Sequence, residues 1–385
     1  MPQNTKKPQL RFKGFTDDWV QHKLGEVVDI TSGFMGNALL SSGQYRITRI
    51  ETIADGLVDE TRIGYSDKKP DDIFLLKKGD ILYSNINSIS HIGKVAQYHG
   101  LSNLYHGINL LRLSPKDNIV SDFLVQILNT ESKRNWAKAH ANQAVSQASI
   151  NQSLLASQEI SICSLKEQKK IGYWFTYLDN LITLQQRKLE KLKNVKKSML
   201  GKMFPKNGSN VPKIRFKEFT AAWEQRKLID EVDSVDTGKS KFIAYDLGKY
   251  AILGSTSVIG YDNSYDYEGD FLLTARVGAN AGELYQYSGK VKISDNTVFV
   301  QGKQLDFIYY LLINFNIKKL SFGTGQPLVK ASELKEQVIK FPKSTTEREC
   351  IGNYFSSLDN LITLHQRKLE KLQNIKKACL EKMFV

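Results

Sequence analysis

With 385 residues, 41% hydrophobic and 10% aromatic, the chain is globular and long enough for more than one cored domain, which sets aside the disordered and fibrous classes. Its formal net charge of +14 is spread along folded sequence, and because phosphate neutralisation releases condensed counterions, nucleic acid is the leading partner. The longest apolar run, Phe307 to Phe315, falls short of the roughly 18 residues of a membrane span, and MPQNTKKPQL has no apolar signal segment. Cys163, Cys350 and Cys379 form no CxxC pair, which fits a reducing compartment and argues against zinc. A cytoplasmic protein with no membrane contact is expected.

In chain order the first landmark is an opening motif, Arg11-Phe12-Lys13 with Phe15-Thr16, Trp19 and Lys23-Leu24. It returns as Arg215-Phe216-Lys217 with Phe219-Thr220, Trp223 and Lys227-Leu228, an offset of 204. Between the openings and the helices, Gly79-Asp80 matches Gly269-Asp270, Gly93 matches Gly282, Asn109 matches Asn296, Asp122-Phe123 matches Asp306-Phe307, and Gln147 with Gln158 matches Gln326 with Gln337. Most other positions there differ, so the two middles share a scaffold while addressing different targets. Asp80 to Tyr83, Val95 to Tyr98, Leu110 to Leu113, Phe271 to Leu273 and Thr297 to Val300 are β-prone runs bounded by Gly, Asn and Ser, the pattern of a twisted sheet with polar loops. Helices are expected over Ser121 to Ala141, with Ser121 as N-cap, and over Asp306 to Leu320. Pro205 to Pro212 is rich in turn formers and reads as a linker.

The strongest repeat is LDNLITLQQRKLEKL at Leu178 to Leu192, restated 180 positions later as LDNLITLHQRKLEKL at Leu358 to Leu372. Ile171 to Phe204 keeps 24 identities in 34 positions against Ile351 to Phe384, so the chain is two copies of one module. Ile171, Phe175, Leu178, Ile182, Gln185, Leu189, Leu192, Met199 and Met203 follow a heptad seam, repeated by Ile351, Phe355, Leu358, Ile362, His365, Leu369, Leu372, Cys379 and Met383. The two helices are expected to pack antiparallel, with Gln185 and His365 as a shared polar layer that fixes register. Residues 166 to 206 hold eleven Lys or Arg against three acids and form the most basic stretch.

Catalytic motifs are absent from the sequence. No proline is followed by another, which removes the Asn-Pro-Pro and Asp-Pro-Pro tetrapeptides of amino-methyltransferases, and no strand leads into a G-x-G cofactor loop. Gly238-Lys239-Ser240 resembles the end of a P-loop, but Asp233 stands where the cradle needs glycine. Pro70-Asp71 and Glu131-Ser132-Lys133 are too far apart to read as a nuclease metal site and are better explained as a turn and a helix end. Candidate DNA contacts are Arg46, Arg49, Asn85, Asn87, Ser88, Ser90 and His91 in the first copy, and Lys239, Lys241, Thr274, Arg276, Asn280 and Lys330 in the second. Arg pairs with guanine and Asn with adenine through two hydrogen bonds, while hydroxyls and Lys take phosphates.

The doubled Arg-Phe-x-x-Phe opening with its Trp and Lys-Leu, the Gly-Asp strand, the Gln-containing segment, and LDNLITL with QRKLEKL together resemble the DNA specificity subunit of bacterial type I restriction-modification systems, over essentially the whole chain. The resemblance implies an α+β fold: two mixed α/β target-recognition domains separated by two long helices packed as an antiparallel coiled coil, a pseudo-twofold internal repeat. The expected boundaries are 1–165 and 213–345 for the recognition domains, 166–204 and 346–385 for the helical regions, and 205–212 for the linker. It implies a noncatalytic subunit whose domains each read half of a bipartite double-stranded DNA target, while the helices set the spacer and dock two modification subunits. Restriction/translocase subunits would join for cleavage, and S-adenosylmethionine and ATP would sit on the partners, with no cofactor on this chain. A helix of 34 residues spans about 50 Å, so the pair could act as a ruler between half-sites. A noncatalytic coiled-coil adaptor would explain the helices but not the divergent middles or the charge. A stand-alone modification enzyme lacks its motifs, and an RNA reader lacks the usual stacking aromatics.

Overall fold

Both copies of LDNLITL lie within long unbroken helices, α5 (Leu165–Met203) and α8 (Thr345–Lys382). The computed structural model describes residues 7–35, 40, 42–54, 56–100, 102–143, 147–206, 208–321 and 327–385. It divides into two units, Met1–Gln186 with Lys368–Val385, and Arg187–Arg367. Each unit thus combines one copy's middle, the start of that copy's helix and the end of the other copy's helix.

In the first unit a six-stranded sheet runs in the order β2 (Val28–Ser32), β10 (Leu111–Pro115), β7 (Ile81–Tyr83), β9 (Val95–Gln97), β5 (Leu57–Val58) and β4 (Ile53–Ala54), antiparallel except at β5–β9. Smaller ladders pair β1 (Val20–Lys23) with β13 (Glu159–Ile162), and β3 (Tyr45–Ile47) with β6 (Gly64–Ser66). A third joins β8 (Ile86–Asn87), β12 (Ala148–Ser149) and β11 (Asn142–Gln143). Successive strand residues face opposite sides of a sheet, and here both sides are covered, so the β7 run Ile81-Leu82-Tyr83 is apolar throughout. Ile81 and Tyr83 join the core with Trp19, Phe123 and Phe175, while Leu82 packs with Tyr98, Leu104 and Leu110 on the other face. Short helices α1 (Leu24–Val27) and α4 (Gln152–Ala156) flank the sheet, and the backbone N–H of Leu24 donates to Gln158 O at 2.8 Å.

The expected helix over Ser121 to Ala141 is two helices, α2 (Ser121–Leu128) and α3 (Glu131–His140). They break at Asn129-Thr130 because Thr130 caps α3, its side chain accepting from Lys133 N at 3.4 Å. Ser121 is not a cap: Val120 holds that position, and the Ser121 hydroxyl donates to Gly79 O instead.

The second unit repeats the plan. Its six-stranded sheet has the order β15 (Ser234–Thr237), β20 (Thr297–Gln301), β18 (Tyr267–Ala275), β19 (Leu284–Ile293), β16 (Tyr250–Leu253) and β17 (Val258–Asp262), with β14 (Glu224–Lys227) paired to β21 (Val338–Phe341). Leu272, Val298 and Val300 face the helices, whereas Phe271, Leu273 and Phe299 build a second core on the far side. The backbone N–H of Leu228 donates to Gln337 O at 2.9 Å, repeating the Leu24 to Gln158 bond. Helix α6 (Leu305–Phe315) ends sooner than expected, at Asn316 in the left-handed region (φ 60°), after which Ile317–Ser321 forms a 3-10 turn; α7 (Ala331–Lys335) follows later in the unit.

Inside each unit the helix segments run antiparallel. In the first, Phe175 of α5 packs on Phe384 (5.8 Å between centroids) and Asp179 pairs with Lys376. In the second, Phe204 stacks on Phe355 (6.0 Å) and Lys196 pairs with Asp359. Ile171, Phe175 and Leu178 are buried, as are Ile351, Phe355 and Leu358, so the seam residues nearest each domain do the packing. Gln185 belongs to the first unit and His365 to the second, and both are half-buried.

Candidate nucleic-acid interface

Each opening motif is clamped to the start of its own copy's helix. Arg11 makes two hydrogen bonds to the Glu167 carboxylate (2.7 and 2.8 Å), and Arg215 two to Glu347 (both 2.7 Å), with both carboxylates almost fully buried. Glu167 holds Arg11 charged, raising its pKa. Trp223 Nε1 also donates to Glu347 at 3.2 Å, whereas Trp19 Nε1 is buried without a partner among the described residues.

Each unit also carries a sheet of the same design. β2 and β7 are both antiparallel to β10, so they run the same way and their carboxyl ends lie at one end of the sheet; β15 and β18 stand in the same relation to β20. The loops leaving these ends carry most of the candidate contacts. After β7, Ser88, Ser90 and His91 are exposed and mutually hydrogen-bonded, with Ser88 and Ser90 Oγ 3.0 and 2.9 Å from His91 Nδ1. Asn87 is half-buried and donates to Ser84 Oγ. After β18, the half-buried Arg276 donates to Asp295 O at 3.3 Å, Asn280 is exposed, and the segment containing Lys330 is tied on by Val329 N to Arg276 O at 2.8 Å. Lys330 itself pairs with Glu333.

Not every candidate faces out. Asn85 is 8% exposed and donates to Ile150 O, and Thr274 is 2% exposed with its hydroxyl directed to Ala275 O, so a base reaches neither without backbone movement. Arg46 is half-buried and held by Glu60 at 2.8 Å; Arg49 donates to Leu40 O at 3.3 Å. Lys239 and Lys241 are exposed on the loop after β15, with Lys239 paired to Asp236.

One repeated frame escaped the sequence reading. The loops after β2 and β15 both begin and end in glycine, with spacing G-x9-G-x-Y at Gly33, Gly43 and Tyr45 and again at Gly238, Gly248 and Tyr250, a constant offset of 205. A Cβ on Gly33 would lie 2.0 Å from Gly107 O, and one on Gly238 2.3 Å from Ser294 O. A Cβ on Gly43 would lie 2.9 Å from Tyr65 Cβ, and one on Gly248 2.8 Å from Tyr261 Cβ. Leu40 bridges Tyr65 just as Tyr245 bridges Tyr261. The match lies one residue beyond the opening-motif offset of 204 and far from the helix offset of 180.

Among the described residues no group of His, Cys, Asp or Glu is arranged to hold a metal, and no helix is long and apolar enough to cross a membrane. Comparison with known proteins decides the family. The family model of the type I restriction modification DNA specificity domain matches residues 16–194 and again 203–374. The chain belongs to this family. Over 94% of its length the chain is 29% identical to a Methanocaldococcus jannaschii protein carrying the name of the MjaX type I restriction enzyme specificity subunit, covering 91% of that relative. It is 23% identical to the MjaVIII type I restriction enzyme specificity subunit of the same organism, with the same coverage of both chains. The crystal structure of the type I restriction-modification system S subunit from M. genitalium shares the fold, with a TM-score of 0.71 at 17% identity over 98% of this chain and 99% of that one. The two specificity domains are the two copies read from the sequence.

Proposed function

We propose that this chain is the DNA-reading subunit of a type I restriction-modification complex. Each specificity domain reads one half of a bipartite duplex target; α5 and α8 set the spacer and dock two modification subunits, and restriction/translocase subunits join for cleavage. In this reading catalysis, S-adenosylmethionine and ATP belong to the partners and the complex works in the cytoplasm. The observation that carries it is the presence of different polar and basic residues at the same strand ends of two like-built specificity domains. Basic side chains there supply salt-dependent phosphate affinity, and loop residues supply discrimination between bases.

The test is titration of the assembled complex against duplex DNA at several salt concentrations, joined to mapping of methylated adenines in cells carrying the system. The expected result is steep salt dependence and a methylated sequence of two half-sites with a fixed gap. A salt-independent interaction and no sequence-specific methylation would favour a coiled-coil adaptor instead.

A further inference from the structure

We infer that residues 239–247 of the second unit form a specificity-determining loop that meets duplex DNA through the apolar side chains of Ile243, Tyr245 and Leu247; this rests on the DNA-reading role proposed above. The frame around the loop is repeated without change, since Gly238, Gly248 and Tyr250 answer Gly33, Gly43 and Tyr45. Its contents are not: KSKFIAYDL at 239–247 shares no position with FMGNALLSS at 34–42. A fixed mount with fully divergent contents is what two readers of different half-sites require.

The second unit shows how the loop is presented. Tyr245 and Tyr261 exchange backbone hydrogen bonds at 3.1 and 2.9 Å, so the loop adds an outer edge to the sheet beside β17, whose other side pairs with β16. Gly248 is required because its Cβ would strike Tyr261. Along this edge Ile243, Tyr245 and Leu247 occupy alternate positions with 69, 50 and 87% exposure, and Ile259 on β17 is also exposed. Apolar side chains gathered on an outer edge contribute nothing to the core and mark a binding surface.

Charge selects the occupant. From Gly238 to Tyr250 there are three lysines, Lys239, Lys241 and Lys249, against Asp246 alone. Lys241 and Lys249 make no ion pair among the described residues. Of the neighbouring acids, Asp266 and Glu268 are engaged by Lys292 and Lys290, and Asp262 on β17 accepts from the backbone N–H and hydroxyl of Ser264. The loop also leaves the sheet at the end that carries Arg276, Asn280 and Lys330. This basic-flanked outer edge presents apolar side chains of the kind that, in the major groove, distinguish thymine by its methyl group.

The experiment uses the full chain assembled with its modification subunits and a randomised duplex library. Wild type should select two half-sites; selection of none would sink the DNA-reading role itself. Replacing 239–247 by FMGNALLSS should change one half-site and keep the other half-site and the gap. A second variant, Ile243→Ser with Leu247→Ser, alters only exposed positions and so leaves folding intact. It should lower discrimination at one half-site at least tenfold with an unchanged salt slope, whereas Lys241→Ala should reduce that slope by about 1. If wild type selects two half-sites and the serine variant, melting as wild type does, discriminates between bases equally well, the inference is overturned.

Discussion

Lys196 Nζ lies 2.6 Å from Asp359 Oδ1, tying the end of α5 to the start of α8 in the second unit. The first unit repeats the bond between Lys376 and Asp179, each residue displaced by 180 positions. The surroundings differ, however. Tyr310 donates its hydroxyl to Asp359 Oδ2 at 2.8 Å, while the position matching Tyr310 is Gln126, whose Oε1 is buried without a partner among the described residues. Asp359 therefore satisfies two groups. Partly exposed ion pairs contribute about 0–1 kcal/mol, and a hydrogen bond to a charged acceptor about 1.5–3 kcal/mol. Asp359→Ala should accordingly cost roughly 2 kcal/mol and Asp179→Ala less than about 1 kcal/mol. Denaturant unfolding of the two variants checks the difference.

The opening clamps predict a second asymmetry. Glu347 accepts from both Arg215 and Trp223, but Trp19 has no acceptor among the described residues. Trp223→Phe leaves a buried carboxylate one donor short, whereas Trp19→Phe removes a donor that was already unsatisfied. Both lose ring volume, so the comparison isolates the hydrogen bond. Trp223→Phe should be the more destabilising by about 1–2 kcal/mol, measured as the difference between the two variants' unfolding free energies.

What could be read from the sequence, and what could not, follows from how far apart the interacting residues lie. The seam Ile171, Phe175, Leu178 and its copy were legible because helical burial repeats along a continuous segment. The β7 and β18 strands were legible from their apolar runs. The inward turn of Asn85 was not, because its acceptor, Ile150 O, is 65 residues away. The need for glycine at 33 and 238 was hidden for the same reason, since the obstructing atoms belong to Gly107 and Ser294. The break at Thr130 is a local capping signal that the helical run on either side concealed.

Within α5 one substitution should act with opposite sign at two positions. A Cβ on Gly172 would stand 2.8 Å from Asp122 Cβ, where the helix crosses α2, while one on Gly201 meets nothing within 4 Å among the described residues. Gly172→Ala forces the helices apart and should cost about 1–3 kcal/mol. Gly201→Ala adds no clash and restores helix propensity, so it should stabilise by about 0.5–1 kcal/mol. Thermal melts of the two variants should therefore move in opposite directions. A gain from Gly172→Ala would show that the α5–α2 crossing is looser than the contact implies.

His106 predicts how stability depends on pH. Its ring is fully buried; Nε2 lies 2.9 Å from Leu110 O and donates to it, and Nδ1 has no partner among the described residues. Burial, with a smaller contribution from the nearby Arg112 charge, lowers its pKa from 6.5 to about 4 against the opposing bond to Leu110. The neutral ring is therefore the native form. Because the folded pKa is depressed, the unfolded chain binds the proton first as the medium is acidified. Stability is complete above pH 6.5 and is lost as pH falls from there towards 4. Linkage for this shift gives a loss of about 2 kcal/mol between pH 7 and pH 5 from this residue alone. His106→Gln keeps a donor for Leu110 O and removes the titration. Its unfolding free energy should start lower at pH 7 but fall less steeply towards pH 5 than that of the wild type. Equal slopes for the two proteins would mean that His106 takes up no proton on unfolding in this range.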